Sequence, residues 1–179
     1  VLLLTGMLAC GSAYAQGSGQ ADKNDKTKTK QAQAVSKAVY ERITTAQEMV
    51  DGKDYQGALK SLNSLYNPEK LTEYEQANVL NYIAFIHYNM DNTREAIQTY
   101  ERMLRIPTLE PQMAKQTTFI VAQLLTVEED YQGALRTLNK WFTLETNPAP
   151  EPYILKAQIH YNLGQFQAMV QPVETAMDV

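Results

Sequence analysis

The sequence predicts an all-α fold, an α-solenoid of about four antiparallel helix pairs, and three observations predict it. DYQGALKSLN at 54–63 returns almost letter for letter as DYQGALRTLN at 130–139, 76 residues later. A weaker copy, NTREAIQTYE at 92–101, lies midway, so Ala58, Ala96 and Ala134 stand at equal steps of 38. IHYNM at 86–90 likewise recurs as IHYNL at 159–163. Self-similarity at this period marks stacked helical units, none of which can bury its apolar face alone. Composition agrees: the 179 residues hold only 8 Gly and 7 Pro, while Leu, Ala, Gln and Glu, all good helix formers, are common.

Residues 1–15 read as part of a signal peptide. Val1 to Ala9 are largely apolar, and Ala13-Tyr14-Ala15 fits the A-x-A context of signal peptidase, which places the cut before Gln16. The first residue is Val and no basic n-region precedes it, so the sequence is read as starting inside the signal. Cys10, the single cysteine, follows Met7-Leu8-Ala9 in a loose likeness to a lipobox. Cleavage after Ala15 would remove it and is the favoured reading; lipidation at Cys10 would instead anchor the chain to a membrane. Either route predicts an exported, periplasmic protein whose fold carries no disulfide.

Residues 16–36 are Gly, Ser, Gln, Asp, Asn, Lys and Thr with almost nothing to bury, which predicts a flexible Lys-rich linker. Over 16–37 five lysines face Asp22 and Asp25, whereas 38–179 holds 11 Lys or Arg against 18 Asp or Glu. The net charge of −4 therefore joins a basic leader to an acidic body. An acidic body argues against nucleic acid, whose binders cluster positive charge. No apolar run is long enough to span a bilayer.

Residues 37–179 form the repeat domain, with units at about 39–71, 77–109, 115–148 and 150–179. The first helix, near Arg42 to Val50, is weakly patterned and reads as a cap. Thr72-Glu73-Tyr74-Glu75 is a capping box that opens the next helix. There Leu80, Ile83, Ala84, His87 and Tyr88 share a face. After a turn at Asp91-Asn92, Ala96, Ile97, Tyr100, Met103 and Leu104 make a second stripe that Pro107 ends. Pro111 suits the first turn of the following helix. In the fourth unit Met169 stands where the others have alanine, and Pro172 falls inside the second helix, where it predicts a kink or break.

Helix, turn, helix, proline, with small residues at the tightest crossings, resembles the tetratricopeptide repeat over about Val39 to Met177. Leu80-Ile83-Ala84-His87 and Tyr153-Ala157-His160 match the family's first-helix pattern. Asp54-Tyr55, Asp130-Tyr131 and Gly164-Gln165-Phe166 match its turn, and Pro68, Pro107 and Pro148 approximate its terminal proline. Spacing departs from the family's period of about 34: Tyr55, Thr93, Tyr131 and Phe166 are 38, 38 and 35 apart. The resemblance implies a right-handed superhelix whose concave groove binds a protein or extended peptide. Carried over by register, the groove rows are Tyr40, Ile43 and Gln47; Asn78, Asn81, Phe85 and Tyr88; Gln116, Phe119 and Gln123; and Ile154, Gln158 and Tyr161. Amides can bond a peptide backbone through donor and acceptor, and the rings offer rigid apolar area. The cationic residues with which relatives clamp a terminal carboxylate are missing here. A wet, unoccupied face and a self-association surface remain the other readings of these rows.

Nothing in the sequence points to catalysis, a cofactor or a metal. The two histidines, His87 and His160, share one repeat position, where packing explains them, and no third ligand stands at zinc-type spacing. A G-x-S-x-G elbow and a phosphate-cradling glycine loop are both missing. The leader, tether and repeat wording resemble periplasmic tetratricopeptide proteins associated with bacterial TonB systems, which implies an accessory to an energy-transduction complex. Two further classes stay open: an outer-membrane lipoprotein assisting outer-membrane or pilus assembly, and a cell-wall enzyme or its regulator.

Overall fold

Every helix of the computed structural model pairs with the next in sequence, which is what a solenoid of helical hairpins requires. The structure describes residues 34–178. The predicted signal peptide, Cys10 and most of the predicted linker lie outside the described residues. Eight helices occur among the described residues: α1 (Lys37–Asp51), α2 (Tyr55–Leu65), α3 (Glu73–Asn89), α4 (Thr93–Leu104), α5 (Pro111–Val127), α6 (Tyr131–Phe142), α7 (Pro150–Asn162) and α8 (Phe166–Asp178). The fold is all-α, as the repeat period predicted. Packing is densest within the pairs α1–α2, α3–α4, α5–α6 and α7–α8; the second helix of each pair then meets the first of the next, and α1 also touches α3.

Two ladders of alanine set these crossings. Ala46, Ala84 and Ala122 on the first helices, and Ala58, Ala96 and Ala134 on the second, are completely buried, and Ala157 nearly so. A methyl group at each crossing lets the backbones approach, and larger neighbours interdigitate around it. Between the ladders, Leu62, Val79 and Ile86 pack in the first part of the core, and Ala134, Leu138 and Ile159 in a later part. In the fourth pair Met169 replaces the second-helix alanine and is half-buried.

Two expectations need correction. The first helix is not weak: α1 runs 15 residues and buries Val39, Ile43 and Ala46. Pro172 does not break α8, which runs through it from Phe166 to Asp178. The proline ring is buried and lines a small cavity with Phe142, Tyr153, Lys156 and Gln171. Its apolar contact offsets the loss of one backbone donor.

Each hairpin turn places one residue in the left-handed region at the same repeat position: Lys53, Asp91, Glu129 and Gly164, with φ of 64°, 58°, 61° and 69°. Only the fourth is the glycine this conformation favours. Asp54 and Asp130 follow as N-caps, accepting from the N–H of Gly57 and Gly133, each at 2.9 Å.

Candidate functional site

On α3 the side chains of Asn78, Asn81, Phe85 and Tyr88 follow a 3-4-3 spacing, which lays them along one helical face. The corresponding rows are Tyr40, Ile43 and Gln47 on α1, Gln116, Phe119 and Gln123 on α5, and Ile154, Gln158 and Tyr161 on α7. The outer rows are the open ones: Tyr40, Ile154, Gln158 and Tyr161 are exposed. On α3 and α5, between neighbours on both sides, Asn78, Asn81, Phe85, Tyr88, Phe119 and Gln123 are half-buried, and Gln116 is exposed. Gln47 is half-buried as well.

Three members of these rows take part in the protein's own packing. Ile43 is buried in the core beside Val39 and Ala46, so it is no groove residue. Phe119 begins a chain of rings: its centroid lies 5.1 Å from that of Trp141. Trp141 meets Phe142 at 5.3 Å, and Phe142 meets Tyr153 at 4.9 Å. Such pairs contribute about 0.5–1.5 kcal/mol each beyond their area. Tyr161 packs its ring edge-to-face on Phe166 at 5.7 Å.

The amides divide in the same way. Asn78 donates its Nδ2 to the Tyr74 carbonyl at 2.8 Å, an intrahelical bond that uses part of its capacity. The side chains of Gln47, Asn81, Gln116, Gln123 and Gln158 have no hydrogen-bond partner among the described residues. Five amides, each with donors and an acceptor to offer, therefore lie along the first-helix rows, and Gln47, Gln123 and Gln158 occupy the same repeat position.

The histidines differ although they share a repeat position. His160 Nδ1 lies 2.7 Å from Gln165 Oε1. His87 Nδ1 is buried and makes no hydrogen bond. Burial pushes the His87 imidazole below its usual range, with the Glu95 charge opposing. The counterpart of Gln165 is Asn92, which is shorter by one methylene and makes no such contact with His87. Among the described residues no three His, Cys, Asp or Glu side chains group in a way that could hold a metal ion.

One residue matters more than its sequence motif indicated. Glu75 completes the capping box with Thr72, accepting from the Thr72 N–H and hydroxyl, each at 3.0 Å. It also accepts from the Ser36 N–H at 2.9 Å. The carboxylate is thus buried between the start of α1 and the start of α3, and its pKa is lowered to about 2, chiefly by the hydrogen bond from the Ser36 side chain. The capping box was legible, but the second partner, 39 residues earlier, left no local signal.

A further concavity, of about 290 Å³, opens at the hairpin ends between α3 and α4 and is lined by residues including Tyr66, Glu73, Arg102 and Arg105. Arg102 stacks over Tyr66, 5.0 Å from the ring centroid, and Glu73 accepts from Thr108. Of these lining groups, Arg102 and Tyr66 are thus engaged with each other and Glu73 with the loop that follows α4.

No protein-family model and no curated protein sequence matches the chain. Solved structures do. The chain is similar to MamA, at a TM-score of 0.60 and 12% identity over 78% of this chain and 77% of that one. It is similar to BtubC from P. vanneervenii, at 0.64 and 15% over 78% and 62%, and to Pseudomonas aeruginosa PilF, at 0.55 and 15% over 75% and 57%. At such identities the likeness speaks of fold alone. That fold is a tetratricopeptide-like helical solenoid.

Proposed function

We propose that this protein is an interaction scaffold that binds an extended segment of a partner protein along the first-helix face, with no catalytic step of its own. One observation carries the reading: five amides without internal partners, three of them at one repeat position (Gln47, Gln123 and Gln158), lie on the first-helix rows beside exposed or half-exposed rings. An extended peptide has unpaired N–H and C=O groups along its length, and bidentate amides can satisfy both. The rings supply apolar contact between them. Tetratricopeptide-like neighbours are consistent with a protein partner in general.

Asn81→Ala combined with Gln123→Ala tests this better than any change at Phe119, whose half-buried ring also packs on Trp141. Both amides lack internal bonds, so helicity and melting should be unchanged while partner capture is lost. A photo-crosslinking side chain placed at Asn81 or Gln123 should give adducts in cells that the same group at exposed Lys60 on α2 does not. Equal adducts from both faces, or capture that survives the double substitution, would sink the groove.

The finer assignment rests on the sequence. The leader and A-x-A site support export to the periplasm, and the overall wording supports an accessory role in a TonB system. The mass of the mature N-terminus decides the anchoring: Gln16 fits a soluble periplasmic protein, and an acylated Cys10 fits a lipoprotein. Crosslinked partners from the TonB complex would support the accessory role; a pilus or wall-hydrolase partner would replace it.

A further inference from the structure

The end of α4 carries two cations that the repeat does not require. Arg102 and Arg105, three residues apart, line the concavity of about 290 Å³ together with Tyr66, Glu73, Ile106 and Pro107. The equivalent residues at the end of α2 are Ser64 and Asn67, and at the end of α6 Lys140 and Thr143. Side chains that pack the solenoid recur at such steps, as Ala58, Ala96 and Ala134 do, and this pair does not. The helix dipole favours a cation at a C-terminus, but a lysine serves it equally, as Lys140 does on α6.

Neither guanidinium uses its N–H donors inside the protein. Arg102 lies over the Tyr66 ring, 5.0 Å from its centroid, a contact made through its charge and not through its N–H groups. Arg105 is exposed, and among the described residues no ion pair or side-chain hydrogen bond holds either guanidinium. Glu73, the carboxylate in the lining, accepts instead from the Thr108 N–H at 3.2 Å and from the Thr108 hydroxyl. Two planar forks, one of them set by a ring, therefore line an open hollow in a body that is acidic overall.

We propose that this concavity is a carboxylate-recognition site, which takes one Glu or Asp side chain of a partner protein flanked by an apolar residue. Guanidinium forks match the two oxygens of a carboxylate, and Tyr66, Ile106 and Pro107 offer apolar wall to the residue beside it. Glu73 sets the charge that fits. Two cations and one anion leave a single positive charge, so a monoanion is accommodated and a phosphate dianion is opposed. A nucleic-acid strand would also meet the surplus of carboxylates over the rest of the body. Both arginines belong to the end of α4, a second helix, and no residue of the first-helix rows lines the hollow, so the site and its test are independent of the peptide groove.

The probe is a blocked pentapeptide with one Glu between two Leu, titrated into the isotope-labelled full chain and followed by NMR. The Arg102 and Arg105 Nε–H signals should move and saturate with a Kd below about 1 mM. The same peptide with Gln in place of Glu, and inorganic phosphate, should each bind about tenfold more weakly or worse. Arg102→Lys combined with Arg105→Lys keeps the charge and loses the forks. It should weaken the Glu peptide about tenfold, read at the backbone amides of Ile106 and Thr108, with circular dichroism unchanged. Should that variant lose helicity, Arg105→Lys alone, at a side chain without a partner, makes the same prediction. Arginine signals that do not move, a Gln peptide or phosphate that binds as well, or an affinity that survives the loss of the forks overturns the proposal.

Discussion

The word DYQG occurs twice because its first and last letters depend on each other. Asp54 and Asp130 cap the backbone N–H of Gly57 and Gly133, and a Cβ on either glycine would collide with the capping carboxylate. Where the cap is lost, so is the glycine: Asn92 makes no side-chain cap bond and Glu95 stands three residues on. A cap contributes about 1 kcal/mol, and alanine exceeds glycine within a helix by about the same amount. Gly57→Ala in the native chain should therefore be neutral or slightly destabilising. In an Asp54→Ala background the same change should stabilise by about 1 kcal/mol, and a urea double-mutant cycle reads the difference; additive effects would show that the two residues are not coupled. The neighbouring left-handed position gives a second test. Lys53 and Glu129 bear a Cβ there, so Lys53→Gly and Glu129→Gly should each stabilise by about 0.5–1 kcal/mol. Asp91→Gly should gain less, since Asp tolerates this region. Gly164→Ala, with open space around its new methyl, should cost about 1 kcal/mol through the backbone alone.

Elements are tied to one another at their ends as well as through the core. Glu75 joins the first turn of α3 to the residue that precedes α1, so one carboxylate orders two helix starts. Its folded pKa, about 2, lies below the ordinary value of 4.5. The stabilisation is therefore fully present above about pH 4.5 and is lost as pH falls toward 2. Glu75→Gln keeps the shape but loses the charge, and should cost about 2 kcal/mol at pH 7, the worth of hydrogen bonds to a charged group. Chemical denaturation of both proteins across pH 7 to 2 measures the gap, which should close at the acid end. A gap that persists at pH 2 would mean that packing, not ionisation, carries the residue's effect. Lys115–Glu145, at 2.7 Å, and Arg94–Glu128, at 2.7 Å, add ties within and between hairpins, but the Arg94 pair is largely exposed and should matter little.

At the scale of the molecule, what the sequence disclosed was its periodic part. The alanine steps, the capping box at Thr72 and the helix-stopping prolines are local or repeated words, so they located the helices. The face assignment followed from register and placed Asn81, Gln123 and Gln158 where their amides lack partners, but register cannot tell a groove ring from a core ring. Ile43 was misread for that reason, since its burial is set by the core residues packed around it, whereas Phe119 stays half-buried with one side of its ring on Trp141. Pro172 was misread because propensity speaks of the lone helix, not of the Phe142 and Tyr153 rings beneath it. The same nearest-neighbour construction governs how the fold should come apart. Each hairpin is held by its own pair and by the hairpins beside it, so stability accumulates along the array rather than across it. Among the described residues, the α3–α4 and α5–α6 hairpins have neighbours on both sides, whereas α7–α8 has one on one side and exposes Phe166, Val170 and Met177. Native-state hydrogen exchange at low protein concentration should therefore find α8 opening first, with amides of α3 and α4 protected by the full unfolding free energy. Uniform protection from α1 to α8 would instead mark a single cooperative unit, and the one-dimensional description of this solenoid would fail.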